Sequence, residues 1–456
     1  MDELLIDRRH GSLRISAEER EQVIDFSEGY KGFIDAGKTE RECVKLAVAA
    51  AEAAGFVPFD PGAKYKAGDK IYYNNRGKAL CLAVIGSSRL KKGARIAAAH
   101  IDSPRLDLKP MPLYEKNEQA LLKTHYYGGI KKYQWTAIPL AMHGTIIRKD
   151  GSSLDICIGE APGDPQFCIT DLLPHLGKDQ SAKKLGEAIP AEDLNILVGS
   201  LPDPDENAKE AYKSAILKLL NQKYHLVEED LISAEIEFVP AFPAADVGLD
   251  RSLIGAYGHD DRVCAYPALE AILRCSPKDQ TVITVLADKE EIGSMGNTGL
   301  ASDFLRYFIT DLAAQEGLEG RHVLSRSSCL SADVTAAYDP NFASAYDATN
   351  SCYLNHGLGV MKYTGSRGKS GSSDASAEFV GQIRKIFNDN RVLWQVGELG
   401  RVDQGFGATV ALELATMNID VIDVGVPVLS MHAPWEVVSK LDVFMTFKGI
   451  KSFFEM

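Results

Sequence analysis

The sequence predicts an α/β fold, a mixed sheet flanked by helices and interrupted by an inserted β-rich domain. Three observations carry this. Runs such as "KALCLAVIG", "RIAAAHIDSP" and "TVITVLAD" are apolar without alternation, so they read as strands buried on both faces. Helical stretches recur between them, the rhythm of a sheet covered by helices. From 107 to 246 the texture changes to short alternating stretches with many turn residues, such as "LDICIGE" and "AEIEFVPAF".

The first elements are helices. Ser16 and Glu19 stand in capping-box spacing, and Thr39 and Glu42 repeat it before "ERECVKLAVAAAEAAG", which Gly55 ends. The strands "KALCLAVIG" and "RIAAAHIDSP" follow. Within the β-rich segment "ENAKEAYKSAILKLLNQ" predicts one helix. From 247 the α/β rhythm returns. "DDRVCAYPALEAILRC" is an amphipathic helix with acidic residues at its start, where they suit the helix dipole. "TVITVLAD", "SSCLSADV" and "IDVIDVGVPVLSMHAP" are further strands. The organisation is therefore 1–106 and 247–456 as one domain, with 107–246 inserted.

The 456 residues are enough for two domains. A net charge of -13 argues against a nucleic-acid footprint, which needs clustered Lys and Arg. The eight cysteines are scattered with no Cys-x-x-Cys pair, so neither a thiolate zinc site nor a disulfide framework is expected. The opening "MDELLIDRRHGSLRIS" is too charged for a signal peptide, and there is no apolar run long enough for a membrane span. A soluble cytoplasmic protein with no membrane partner is the expectation.

Ligands of open α/β sheets gather at the carboxyl ends of the strands. "RIAAAH" ends in His100, "TVITVLADKEE" in Glu290 and Glu291, "SSCLSAD" in Asp333 and "VGVPVLSMH" in His432. Asp260 and Asp261, in "GHDDRV", start the helix that could pack beside the same edge. A lone His is most often a satisfied core or surface imidazole; the full set is harder to attribute to solvated chance. Two imidazoles, several carboxylates and no thiolate suit zinc or a similar divalent ion, and are too many for one tetrahedral site with an open position. They fit two cations sharing a bridging carboxylate and a water. Adjacent glutamates then divide the work, one ligating and its neighbour taking the proton from the water. Asp102 could accept the spare imidazole hydrogen of His100, or be a turn aspartate before Ser103-Pro104.

"AAHIDSPRLDLKP", "GHDDRVCAYPALEAI", "DKEEIGSMGNTG", "SADVTAAYDPN" and "SMHAPWEVVSKLD", in this order, resemble the aspartyl aminopeptidase family of dinuclear zinc metallopeptidases, over the whole chain. The resemblance implies a zinc-exopeptidase-like sheet with an inserted oligomerisation domain at 107–246. It implies that His100 and Asp333 hold one metal, that Glu291 and His432 hold the other, and that Asp260 bridges. Glu290 would be the general base. The family's usual Asp-Asn is Asp260-Asp261 here; Asp260 is preferred because the first of the pair bridges. The metals would be two divalent ions, Zn2+ foremost, with Co2+ or Mn2+ as alternatives. Family members form homo-oligomers, tetrahedral dodecamers among them, in which a neighbour's His completes the site; His175 in "CITDLLPHLGKD" is the candidate.

"YTGSRGKSGSSDAS" is not a phosphate loop, because the required first Gly is Tyr363. It reads as a mobile loop or as a substrate-binding segment whose Lys362, Arg367 or Lys369 meets an acidic side chain. By resemblance Lys362 holds an acidic P1 side chain, yet the segment departs from the form typical of strictly acidic-specific members. The expected activity is therefore removal of N-terminal residues from peptides, Asp and Glu or a broader set. A deacylase of N-acyl amino acids on the same scaffold and a non-catalytic scaffold protein with a structural metal are the alternatives.

Overall fold

The computed structural model describes residues 4–205, 207–405 and 407–456. The chain divides into two compact units. One comprises Met1–Asp102, Ala244–Met431 and Trp435–Met456; the other comprises Ser103–Pro243 with His432–Pro434.

The first unit is built on a nine-stranded sheet. Its order is Val57–Pro58, Lys70–Asn75, Ala79–Val84, Gln280–Ala287, Arg89–His100, Ser328–Ala332, Asp420–Gly425, Leu358–Met361 and Trp394–Val396. The four strands from Gln280–Ala287 to Asp420–Gly425 are parallel. Ala79–Val84 and Leu358–Met361 flank them antiparallel, so the sheet is mixed. Burial on both faces explains the unbroken apolar runs. Along Arg89–His100, Ala97 and Ala99 enter one core while Ile96 and Ala98 enter the other. The first core is covered by the helices Ala17–Ala36, His259–Arg274 and Lys440–Phe454, the second by Phe304–Ala314 and Ala411–Thr416. Truncating a fully buried strand residue such as Leu80 to Ala would cost about 2–5 kcal/mol.

The helix signals sit where the sequence puts them. Both capping boxes form, Ser16 with Glu19 and Thr39 with Glu42, at the starts of Ala17–Ala36 and Glu40–Ala53. Gly55, at φ +86°, follows the second helix in the left-handed region that glycine adopts without strain. The segment "IDVIDVGVPVLSMHAP" behaves differently from one strand. It splits into Asp420–Gly425 and Pro427–Leu429, and the second piece joins a separate five-stranded sheet. At this point only glycine fits: a Cβ on Gly425 would lie 1.6 Å from the Asp333 carbonyl oxygen, so glycine allows the two strand ends to approach.

Register sets the position of the chemistry. Ala287 is level with His100, and Ser331 is level with Ala98. The residues just beyond these parallel strands, including Asp333, therefore emerge at one edge of the sheet.

The second unit is a six-stranded antiparallel sheet in the order Ser153–Ile158, Leu140–Ile147, Ala234–Pro240, Arg105–Lys116, Gln119–Tyr127, Asn195–Gly199. Met142, Ile146, Ile156 and Ile158 line a cavity of about 180 Å³ with Ile216 and Leu220 of the helix Ala211–Tyr224. That alternation places the intervening positions on the opposite, polar face. Among the described residues no helix is long and apolar enough to cross a membrane.

Candidate metal centre

His100 closes its strand and is almost fully buried. Its backbone N–H donates to Asp261 Oδ2 at 3.2 Å. Its ring is held from one side: Nδ1 lies 3.0 Å from the carbonyl oxygen of Asp102 and 3.3 Å from Asp102 Oδ1. Nε2 then faces a group of acids, 3.2 Å from Asp260 Oδ1 and 3.7 Å from both Glu290 Oε2 and Asp333 Oδ1.

Asp102 also organises the glutamate pair. Its Oδ1 accepts the backbone N–H of Glu290 at 3.1 Å, and its Oδ2 accepts that of Glu291 at 3.2 Å. Bonds to an ionised acceptor contribute about 1.5–3 kcal/mol each. They fix a 3₁₀ turn over Glu290–Ile292, entered through Lys289 at φ +68°. The two glutamates are thus not the opposed side chains of an extended strand. The preceding loop is tied by Asp288 Oδ2, which accepts Thr298 Oγ1 at 2.6 Å and Lys289 Nζ at 2.5 Å.

Asp260 and Asp261 open the helix His259–Arg274 with non-helical backbone angles, and the peptide between them is cis. Asp260 N–H donates to the buried Glu436 Oε2 at 3.1 Å. Glu436 was not legible as a site residue, although its place in "HAPWEVVS", four residues after His432, was the available signal. Asp261, named with Asp260 in the sequence, does reach the site; its Oδ1 has no hydrogen-bond partner among the described residues.

The electrostatics match a cation pocket. Burial pushes the Asp261 carboxyl well above its ordinary pKa, with Asp333 and Asp260 adding to the rise. Burial likewise raises Asp333, against the opposing pull of His100. Glu290 is pushed up to about 8, first by burial and then by Asp333, Asp260 and Asp102, with His100 opposing. For His100 burial works downward, yet hydrogen bonds to Asp102, Asp260 and Asp333 carry its pKa well above the ordinary value. All four shifts express a surplus of buried acid that positive charge relieves. Two groups have donor atoms within 4.8 Å of one another: His100, Asp260 and Glu291, and His100, Asp261 and Asp333. Imidazole with carboxylates is a donor set that zinc accepts, so the residues fit a divalent metal.

The remaining predicted residues lie as follows. His432 groups with the second unit; its backbone is at φ +65°, past the strand Pro427–Leu429, and its Nδ1 is 2.7 Å from the Gly129 carbonyl oxygen. His175 is exposed in the second unit. Lys362 follows the strand Leu358–Met361 and pairs with Asp374 at 2.8 Å, and Lys369 meets the same carboxylate at 3.3 Å.

Residues 33–454 match the family model of the aminopeptidase I zinc metalloprotease, M18. The chain belongs to this family. It is 46% identical over 460 residues to a probable M18 family aminopeptidase 1 of Clostridium acetobutylicum, covering 99% of both chains. Its fold superposes on the crystal structure of an M18 aminopeptidase from Thermotoga maritima with a TM-score of 0.95, at 44% identity and coverage of 99% and 100%. A yeast mApe1 dodecamer shares the fold at a TM-score of 0.77 and 20% identity, over 94% of this chain and 96% of that one. The M18 chain described here is therefore a hydrolase, a metalloaminopeptidase of the zinc type with a zinc-exopeptidase-like fold.

Proposed function

We propose that this M18 aminopeptidase works with two divalent cations, zinc foremost and cobalt or manganese as alternatives. One observation carries the reading: two donor groups share the buried His100, more ligands than a single tetrahedral ion with an open position can use. His100 and Asp333 would hold one ion, Glu291 and His432 the other, and Asp260 would bridge them. When bound, the ions would polarise the scissile carbonyl and make the attacking water more acidic.

The protein's own groups then manage the proton. Glu290 would take it from the attacking water and deliver it to the leaving amine. Its pinned backbone N–H and its approach to His100 Nε2 support that role. Cationic charge would lower its raised pKa toward the range of a working base. Asp102 would keep His100 turned toward the acids. Surplus carboxylate would meet the α-ammonium of the substrate, favouring free over blocked N-termini.

For the side-chain preference, the Lys362–Asp374 pair supports a broad or neutral range over a strictly acidic one, since Asp374 already answers the lysine's charge. A homo-oligomer, as large as a dodecamer, is supported by the exposed Leu172, Leu173 and Leu176 around His175, at 46%, 48% and 67% exposure. There His175 would reach a neighbour's centre, and the inserted 107–246 domain would serve oligomerisation. Eight unpaired cysteines support a cytoplasmic location.

The test is hydrolysis of a free dipeptide against its N-acetylated form, with and without chelator. Chelator-sensitive cleavage of the free peptide alone is expected; preference for the acetylated one would favour a deacylase.

A further inference from the structure

We infer that the inserted unit carries a separate site for a thiophilic divalent cation, zinc by preference, formed by His143, Cys157 and Glu160. The inference does not rest on the two-cation reading of the catalytic centre. These residues form a third group of potential ligands, with donor atoms within 4.8 Å of one another.

Strand register builds the site. His143, on Leu140–Ile147, is directly opposite Cys157, on the edge strand Ser153–Ile158. Directly opposed side chains on one face are the closest in a sheet. Both lie on the polar face, away from the apolar positions Met142, Ile156 and Ile158. Gly159, at φ +122°, turns the chain so that Glu160 joins the same group. The next acid along the row, Glu237, is opposite His143 on the other side, but Arg105 holds it at 3.2 Å. Glu160 is the acid whose carboxylate oxygen groups with His143 and Cys157.

The spacing is close to that of ligands around one metal ion. His143 Nε2 is 3.7 Å from Cys157 Sγ and 3.6 Å from Glu160 Oε2. The second distance is too long for an N–H···O bond. Around a tetrahedral zinc, neighbouring N, S and O donors lie roughly 3.3–3.6 Å apart, from bond lengths of about 2.0–2.3 Å. Small rotations of the exposed Cys157 and the partly exposed Glu160 close the difference. His143 is almost fully buried and supplies the fixed donor. Three protein ligands leave the fourth position to water. A cation held there would tie the edge strand to its neighbour.

Cobalt substitution separates this site from the catalytic one, whose donors include no thiolate. The metal-stripped protein is reloaded with cobalt and its spectrum recorded. A near-ultraviolet thiolate-to-cobalt charge-transfer band is expected, lost in Cys157→Ser together with one equivalent of bound metal. Glu160→Gln should weaken the binding that this band reports by at least about 10-fold, the lower end of what even outer partners cost. Peptide hydrolysis in Cys157→Ser should stay intact, which also shows the variant folded. Absence of the band at saturating cobalt, or the same band in Cys157→Ser, would overturn the inference.

Discussion

Asp102 holds His100 by the ring: its carbonyl oxygen is 3.0 Å and its carboxylate 3.3 Å from Nδ1, which leaves Nε2 for the acid cluster. Replacing this aspartate with asparagine keeps the size but puts an amide N–H₂ against one of the two backbone N–H groups it now accepts. Asp102→Asn should therefore bind its metals about 10- to 100-fold more weakly, the usual cost of losing an orienting partner. Chelator competition measures this; unchanged affinity would remove the orienting role.

Glu290→Gln should behave in the opposite way. It retains the fold and metal binding but loses general-base function, a loss of about 10²–10⁴ in kcat. Metal analysis beside steady-state kinetics separates the two variants. A near-normal kcat would exclude Glu290 as the base.

Lys362→Ala tests the specificity reading. With Asp374 already opposite the lysine, the ratio of kcat/KM for aspartyl and leucyl reporters should change less than tenfold. A selective collapse of aspartyl cleavage would show that the lysine grips acidic side chains after all.

Acid sensitivity should appear in the inserted unit at Asp203. Lys218 at 2.6 Å and the Ser214 hydroxyl at 2.7 Å hold its carboxyl down to about 2, against an ordinary value near 3.8. A depressed acid stabilises the fold above its unfolded pKa, and the contribution fades as pH falls toward the folded value. The stability gap between the wild type and Asp203→Asn should therefore be constant near neutrality and narrow below about pH 4. Urea unfolding at several pH values reads it, and a gap that stays constant on acidification would contradict the assignment.

What could be read from the sequence had local causes. Capping boxes at Ser16 and Thr39 are local hydrogen bonds, and the buried strands follow from runs apolar on both faces. His100 and Asp333 were visible because each ends or follows a parallel strand. Long-range contacts were not visible. Asp102 joins Glu290 and Glu291 across 188 and 189 residues, and Glu436 meets Asp260 across 176. The need for glycine at 425 comes from the Asp333 carbonyl, which no neighbouring residue announces.

The central claim is that separated acids and imidazoles meet on a pair of cations. The most direct measurement is an anomalous-scattering map of crystals grown with zinc. The account predicts two peaks about 3.5–4 Å apart, flanking Asp260, with His100 and Asp333 on one and Glu291 and His432 on the other. A single peak there, or His432 far from both, would contradict it.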